Sequence, residues 1–365
     1  MTQKDRIIQL FNNQPAEPAS PLFLPDLIIW HTWHSRQGTL PDGFRELSLE
    51  DTCRKLGVPV WNTCRPWTIE SGEVEVKHFR EKGKRVTQYN YGEKTLSSVW
   101  TKGPDGDWWQ TEYPVKSVKD LEVIRAYVEG RSFRIREEEF AAMFERTGDD
   151  GITAPQLPSR AFSWLMLEML GWSEGLMVLM DGEKEIGELV ALAESQIRDF
   201  SRSMAKLLGK YGSVIFLSPD NLDGMFVSPA YFEQYLAEGY AAVSRILHEY
   251  DSFLMVHGGG PLGRILEQIG RSGIDCIAGI CGPPQGDTTL KEAREKTGGN
   301  TILWGGIPQD YLIDVTPGDV FEKNTREIIR TFSADPSAIL GIADHVSIDT
   351  DVARLKSTVE IINEG

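Results

Sequence analysis

The chain has 365 residues, of which 41% are hydrophobic and 25% charged, so it can bury a large core. Its 38 Lys and Arg residues are outnumbered by 54 Asp and Glu residues, which gives a formal net charge of -16. That charge opposes binding to a phosphate backbone or an anionic membrane, so we expect neither nucleic acid nor a membrane as a partner. The 4 cysteines are too few for a disulfide scaffold, and no signal segment opens the sequence, which favours a cytoplasmic location.

Short β-branched or apolar runs alternate with longer helical patterns along the chain, which is typical of β/α units on a parallel sheet. A short amphipathic helix precedes the first run. We predict strands at residues 21–24, 58–62, 151–154, 213–217, 253–256, 276–280, 301–304 and 338–342. This repetition favours an α/β fold, a closed (β/α)8 TIM barrel, over an open doubly wound sheet.

One stretch, residues 72–114, interrupts the alternation after the second strand. Its strand-forming runs are separated by the turn sequences KG, GE and PDGD. Such turns between β-runs predict an antiparallel meander. No repeat or low-complexity linker marks a boundary, so residues 1–365 are predicted to form a single barrel domain carrying this β insertion.

Catalytic groups of a β/α barrel project from the carboxyl ends of its strands, so polar residues at those positions are the first candidates for function. The predicted strands are followed by Asp26, Arg65, Gln156, Asp220, Asn221, Asp223, His257, Cys281, Asp344 and His345. An imidazole among carboxylates suits either metal binding or acid–base chemistry. We therefore predict that His257, Asp220 and Asp344 are catalytic and that the others, apart from Cys281, bind substrate.

Three consecutive glycines follow His257. Gly258, Gly259 and Gly260 lack the Lys and the Ser or Thr of a phosphate-binding P-loop. Without Cβ atoms, they allow a large ligand to come close to the backbone. We therefore predict a cofactor-binding role for this triplet.

An aromatic cluster follows the first predicted strand. Trp30, His31, His34 and Arg36 interleave aromatic rings with cationic or ionisable groups. Such a patch suits a flat or anionic substrate. An aromatic lid over the barrel mouth is an equally good interpretation, and the sequence leaves both open.

Several motifs follow one another from the fifth predicted strand onward. Residues 257–259 read HGG, residues 273–275 read GID, residues 286–292 read GDTTLKE and residues 303–307 read LWGGI. This order resembles the superfamily that joins uroporphyrinogen decarboxylase to the corrinoid-dependent methyltransferases. Residues 223–229, DGMFVSP, are similar to the family's Gly-x-x-Ile-Ser-Pro segment. The resemblance covers nearly the whole chain and implies a TIM-barrel enzyme.

The decarboxylase branch of that superfamily has an N-terminal signature that is only partly present here. Residues 36–45 read RQGTLPDGFR, where the branch has Arg-Gln-Ala-Gly-Arg followed by Tyr-Leu-Pro-Glu-Tyr-Arg. One residue and the second arginine of the run are missing, and the branch's Phe-Ser-Asp catalytic segment has no counterpart. These departures argue against a tetrapyrrole tetra-acid as substrate. A true decarboxylase that holds propionates with Arg36 and Arg65 is the alternative.

The methyltransferase branch typically has His-x-Cys after strand five and Gly-Cys-Gly after strand eight, which form a thiol-activating zinc site. Here Gly259 and residues 341–345, GIADH, replace these cysteines. One interpretation is that His257 binds zinc with Asp220, Asp344, His345 or Cys281, and such a ligand set suits a harder oxygen donor, such as a methyl ether. The other is that His257 acts without metal as a general acid.

Together these features predict an enzyme that moves a methyl group from a small O- or N-methylated substrate to a corrinoid protein. The corrinoid is then carried by the partner protein, and zinc at His257 and Cys281 is an open alternative. A homodimer is one expected assembly. Two other functions stay open: conversion of uroporphyrinogen III to coproporphyrinogen III, and non-catalytic binding of a corrinoid or another tetrapyrrole.

Overall fold

The computed structural model describes residues 1–14, 21–103 and 108–364. The chain divides into two compact units. The first comprises Met1–Pro66, Glu137–Leu157 and Ala205–Gly365, and the second comprises Trp67–Arg136 and Pro158–Met204. The single domain predicted for residues 1–365 stays a prediction.

The strands of the described residues are β1 (Val60–Cys64), β2 (Trp67–Glu70), β3 (Glu75–Glu81), β4 (Lys84–Tyr91), β5 (Lys94–Lys102), β6 (Trp108–Glu112), β7 (Ser132–Ile135), β8 (Gly151–Pro155), β9 (Ile215–Leu222), β10 (Phe253–Gly258), β11 (Cys276–Ile280), β12 (Ile302–Ile307) and β13 (Ala338–Ile342). In the first unit, β9 to β13 form a parallel sheet in the order β13-β12-β11-β10-β9. β1 pairs in parallel with β8. The fold is therefore mixed α/β with parallel strands.

Two single bridges extend this parallel arrangement. Gln156, directly after β8, pairs with Leu217 of β9, and Phe23 pairs with Leu340 of β13. The strand predicted at residues 21–24 is thus reduced to one bridge, because the prolines at its borders have no N–H to donate to a ladder. The strand pairings described here do not join Phe23 to β1, so the closed barrel stays a prediction.

The helices are α1 (Gln3–Phe11), α2 (Ile28–Gln37), α3 (Leu49–Leu56), α4 (Leu121–Gly130), α5 (Glu137–Thr147), α6 (Ala161–Trp164), α7 (Gly175–Asp181), α8 (Glu183–Leu208), α9 (Pro229–Tyr235), α10 (Ala237–His248), α11 (Leu266–Arg271), α12 (Leu290–Thr297), α13 (Gly318–Ser333) and α14 (Val352–Glu364). Several begin at hydroxyl caps, such as Thr289, whose side chain accepts the Glu292 N–H. No helix in the described part of the chain is long and apolar enough to cross a membrane.

The helix α1 packs at the amino ends of the parallel strands. Its apolar side chains Ile7, Leu10 and Phe11 are buried in the same core cluster as the strand residues. The ring of Phe11 lies 5.3 Å from that of Phe253, the first residue of β10. The helix therefore covers the end of the strands that lies opposite the candidate functional residues.

Two tryptophans fill the space between the strands. The rings of Trp61 and Trp304 meet edge to face at 4.8 Å, and the Trp304 indole N–H donates to the Leu24 carbonyl at 2.9 Å. A Cβ on Gly341 would lie 2.3 Å from that indole nitrogen. The glycine is therefore needed where the indole crosses β13.

The second unit contains two antiparallel sheets. Within residues 72–114, β3 to β6 form a four-stranded sheet in chain order, and β2 pairs with β7. The PDGD turn, residues 104–107, lies outside the described residues. Trp67, Phe133 and Phe200 pack their rings together beside β2 and β7. This aromatic cluster belongs to the core of the second unit.

Candidate active site

Two histidines and two aspartates come together where strands of the first unit end. His257 is the penultimate residue of β10, and Asp344 and His345 follow β13. Asp26 follows the Phe23 bridge, and its carbonyl accepts the Val346 N–H at 2.8 Å. These residues are far apart in sequence, and the parallel strands bring them to one place.

Asp344 lies between the two imidazoles. Its Oδ1 is 3.2 Å from Nε2 of His257 and 3.1 Å from Nδ1 of His345. Burial of the carboxyl opposes ionisation, but hydrogen bonds from both rings outweigh it and hold the pKa of Asp344 well below its usual range. An ionised Asp344 accepts an N–H from each ring, so Nδ1 of His257 is the nitrogen of that ring left for proton transfer.

The pKa of Asp26 is shifted in the opposite direction from that of Asp344. Burial raises its pKa to about 6, although its hydrogen bond from the Ile28 N–H and the nearby His345 and His257 favour the ionised form. Asp26 can therefore hold a proton close to neutral pH. At neutral pH the cluster thus combines an ionised carboxylate, two imidazoles and a weak acid, which suits proton transfer to a substrate atom.

The backbone at Asp344 has a φ of 69°, a left-handed conformation that Asp and Asn tolerate better than most residues. Two glutamines hold the carbonyls on either side of it. Gln285 Nε2 donates to the Ala343 carbonyl at 3.2 Å, and Gln309 Nε2 donates to the His345 carbonyl at 2.8 Å. The Gln309 N–H also donates to Gln285 Oε1 at 2.7 Å, which joins the two side chains into one support.

Gln285 and Gln309 are not among the site residues predicted from the sequence. Both follow predicted strands, in the segments PPQ and PQ, and thus occupy the same strand-end positions as the residues that were selected. Neutral amides do not titrate, so a search for acids, bases and metal ligands passes over them. The proline before each glutamine is the signal in the sequence, because it restricts the loop that presents the amide.

Asp220 is only 1% exposed and has a different surrounding. Its Oδ2 accepts hydrogen bonds from Ser218 Oγ at 2.6 Å and from the Tyr240 hydroxyl at 2.8 Å. These bonds satisfy a buried carboxyl and fix the end of β9 to α10. They give Asp220 a structural role, and its catalytic role stays a prediction.

The glycine triplet accommodates side chains of the protein itself. A Cβ on Gly259 would lie 1.7 Å from Oδ1 of Asn221, and one on Gly260 would lie 2.3 Å from Oδ2 of Asp223. A Cβ on Gly258 would approach Leu262 to 2.7 Å. The close approach predicted from the sequence therefore involves Asn221 and Asp223, and binding of a cofactor or substrate by these residues stays a prediction.

The histidines of α2 support the backbone around them. His31 Nε2 donates to the Leu47 carbonyl at 2.9 Å, and His34 Nε2 donates to the Ile348 carbonyl at 2.8 Å. Trp30 is 1% exposed, whereas Arg36 is exposed at the end of the helix. Hydrogen bonds explain His31 and His34 without a ligand, whereas the buried Nε1 of Trp30 has no hydrogen-bond partner among the described residues. A substrate-binding role stays a prediction for all four residues.

Two further predicted binding residues follow β1 and β8. Arg65 is exposed and Gln156 is half-buried, with the Gln156 backbone N–H donating to the Cys64 carbonyl at 2.7 Å. Both side chains make other contacts in the chain. A role in holding substrate stays a prediction for both.

The predicted zinc ligands are not brought into a recognisable metal centre. Cys281 is buried, its Sγ lies 3.9 Å from the Gly306 carbonyl, and burial raises its pKa to about 11, which keeps it a thiol. Among the described residues, no three His, Cys, Asp or Glu side chains are arranged to hold a metal ion. This donor set does not fit zinc as it stands, and zinc binding by His257 and Cys281 stays a prediction.

Comparison with known proteins identifies a shared fold. No protein-family model and no curated sequence matches the chain. A methyltransferase from Methanosarcina mazei superposes with a TM-score of 0.61 at 14% identity, covering 100% of this chain and 99% of that one. A D-psicose 3-epimerase from Clostridium cellulolyticum H10 superposes with a TM-score of only 0.35 at 9% identity, covering 68% and 85% of the two chains, and supports no inference. The first match establishes the fold over the full length.

Proposed function

We propose that this protein is a methyltransferase that moves a methyl group from a small O- or N-methylated compound to a corrinoid protein. The observation that carries the proposal is the convergence of His257, Asp344 and His345 at the strand ends. The full-length likeness to a methyltransferase supports it. The motif order shared with the corrinoid-dependent methyltransferases suggests the acceptor.

The reaction breaks the bond between the methyl carbon and oxygen or nitrogen of the substrate. Both electrons of that bond stay with the oxygen or nitrogen, which takes up a proton. The corrinoid of the partner protein, as the methyl acceptor, supplies the nucleophile. The contribution required of this chain is therefore a proton at the leaving atom, in a site that excludes competing water.

His257 is the proposed proton donor. Asp344, ionised and 3.2 Å from Nε2, fixes the plane of the His257 ring and leaves Nδ1 available to the substrate. The proton then leaves from Nδ1. Asp26, with a pKa of about 6, holds a second proton close by and limits the negative charge of the cluster.

The test incubates the purified protein with a reduced corrinoid protein and a panel of methyl ethers and methylamines, and follows methylation of the corrinoid by absorbance. We expect transfer from at least one donor, and a loss of 100-fold or more in His257→Ala at nearly unchanged melting temperature. His248→Ala is the matched control, because His248 also pairs with an aspartate, Asp275, at 2.9 Å, but outside this cluster. Its turnover should equal that of the wild type.

Other results would contradict the proposal. No transfer from any donor would argue against methyl transfer, and conversion of uroporphyrinogen to coproporphyrinogen would establish the decarboxylase alternative. Near-normal turnover in His257→Ala would remove His257 from the mechanism and leave Asp344 and Asp220 as the better candidates. A loss of activity that follows unfolding would instead assign His257 a structural role.

A further inference from the structure

The four-stranded sheet of the second unit, β3 to β6, carries a cavity that the proposed methyl transfer does not use. Its volume is about 830 Å³, and its walls include Phe79, Arg80, Arg85, Trp100, Trp108 and Trp109. We infer that this cavity binds a small phosphate monoester attached to a planar ring, as in a mononucleotide. This site goes beyond the proposed function and does not depend on it.

The two arginines are the first observation. Arg80 of β3 lies directly opposite Arg85 of β4 in the strand register. Like charges at directly opposed positions repel each other. Lys77 and Lys94 of the same sheet have carboxylate partners, whereas the described residues form no ion pair with either arginine. An anion between the guanidinium groups would relieve the repulsion.

The local charge is the second observation. Residues 75–112, which span the four strands, contain seven Lys and Arg residues and six Asp and Glu residues, a formal charge of +1 in a chain whose formal net charge is -16. This segment is therefore less acidic than the rest of the chain, and two of its cations, Arg80 and Arg85, line the cavity. The two guanidinium groups match the roughly -1.5 to -2 charge of a phosphate monoester, and their planar N–H donors suit its oxygens. A long polyanion is disfavoured because the rest of the chain is acidic.

The aromatic walls are the third observation. The Arg85 guanidinium lies 4.0 Å from the centre of the Trp108 ring, and that of Arg80 lies 5.9 Å from it, so an aromatic face holds the cations in place. Trp109 is 60% exposed and Phe79 is 38% exposed. These large apolar rings on a cavity wall offer a surface for a flat ring of the ligand. The volume also lies in the range of about 300–1,000 Å³ typical of small-molecule sites.

Calorimetry on the full chain at low salt tests the inference, with adenosine monophosphate, adenosine and inorganic phosphate as probes. We expect adenosine monophosphate to bind at least 10-fold more tightly than either of the others. Arg80→Ala and Arg85→Ala should each weaken it 10-fold or more. Lys77→Ala, which removes an ion-paired charge from the same sheet, should not. Trp109→Ala should weaken binding of adenosine monophosphate but not of phosphate.

Several outcomes would overturn the inference. These are the absence of saturable binding of adenosine monophosphate, equal binding of phosphate and adenosine monophosphate, or unchanged binding in a folded Arg80→Ala/Arg85→Ala variant, with folding checked by circular dichroism. Methyl transfer should be unchanged in all these variants.

Discussion

Two aspartates of the candidate active site differ in charge because their surroundings differ. Burial dominates at Asp26 and raises its pKa to about 6, whereas at Asp344 the hydrogen bonds from two imidazoles outweigh burial and lower the pKa. Separation of the pKa values of neighbouring groups is how active sites obtain an acid and an anion at the same pH. Each shift also predicts how the stability of the protein depends on pH.

Ionisation of the buried Asp26 carboxyl should lower the unfolding free energy of the protein as the pH rises. Its folded pKa of about 6 exceeds the reference value of 3.8, so the stabilisation it provides is complete below about pH 4 and is lost as the pH passes 6. The difference corresponds to about 3 kcal/mol of unfolding free energy. Asp26→Asn should remove this dependence and be more stable than the wild type at pH 8. Urea unfolding at several pH values from 4 to 8 measures the unfolding free energy of both proteins. If that free energy changed with pH by the same amount in the wild type and in Asp26→Asn, the raised pKa would be contradicted.

Asp344 should show the opposite dependence. Its lowered pKa means that its stabilisation is present above about pH 4 and is lost as the pH falls below that value. Asp344→Asn keeps the shape and tolerates the left-handed backbone but removes the charge. We expect a loss of about 2 kcal/mol at pH 7 and a fall in turnover of 100-fold or more. Wild-type turnover in this variant would show that the anion is not needed.

At the scale of elements, the motifs behind the family resemblance fix loops. Asp275 accepts the Leu254 N–H at 2.7 Å and also pairs with the His248 ring. Through these two contacts Asp275 joins the start of β11 to β10 and to α10. Asp287 accepts the N–H groups of Leu262 and Gly263 at 3.1 and 3.0 Å. These carboxylates replace backbone partners that loops lack. The motifs therefore anchor loops at both ends of the parallel strands: Asp275 lies before β11 and Asp287 lies after it.

The loops after β11 and β12 should control activity through Gln285 and Gln309. Gln309→Ala removes the donor to the His345 carbonyl, so it should cost about 1 to 2 kcal/mol and lower kcat by displacing Asp344. Because binding groups stay in place, KM should change less than kcat. The pH profile should also shift, since the carboxylate holds both imidazoles.

Gln196→Ala is the matched control for this experiment. Gln196 also donates to a backbone carbonyl, that of Val128, at 2.6 Å, but in the second unit. A similar loss of stability with unchanged kcat is expected. Equal effects of the two variants on kcat would mean that Gln309 acts through general stability alone.

At the scale of the whole molecule, stability and candidate chemistry lie at opposite ends of the parallel strands. Ile7 of α1 is 0% exposed and belongs to the core cluster, while the histidine–aspartate cluster lies at the carboxyl ends. This division is general among β/α folds, in which loops carry function and the other end carries packing. Substitutions in α1 should therefore lower the unfolding free energy without changing the chemistry of the site.

Ile7→Ala tests this separation. Removing the buried side chain should lower the unfolding free energy by about 2 to 5 kcal/mol, because a cavity remains in a packed core. Turnover per folded molecule should not change. Denaturant unfolding and activity, measured on the same preparation below the melting temperature, check both. A specific loss of turnover at full folding would show that α1 is coupled to the site.

The sequence by itself determined the parallel strands, but several of them run past their predicted ends. The largest difference is at β9, which was predicted to end at residue 217 and extends to Leu222, so Asp220 and Asn221 lie within the strand and not after it. Seven of the eight predicted strands are present, because buried parallel strands are short apolar runs bounded by turns. The remaining predicted strand, the first in chain order at residues 21–24, forms only a single bridge at Phe23, because the prolines at its borders have no N–H to donate. The strand-end rule also selected Asp26, His257, Asp344 and His345, since it depends only on where each run stops.

Only the tertiary structure decided what each selected residue contacts. It showed that Asp220 is bonded to Tyr240, that His31 and His34 hold backbone carbonyls, and that Gln285 and Gln309 flank Asp344. A strand-end position fixes the direction of a side chain but not its neighbours, which come from distant parts of the chain. Because hydrogen bonds and pKa values depend on distances of a few ångströms and on burial, they follow from packing alone.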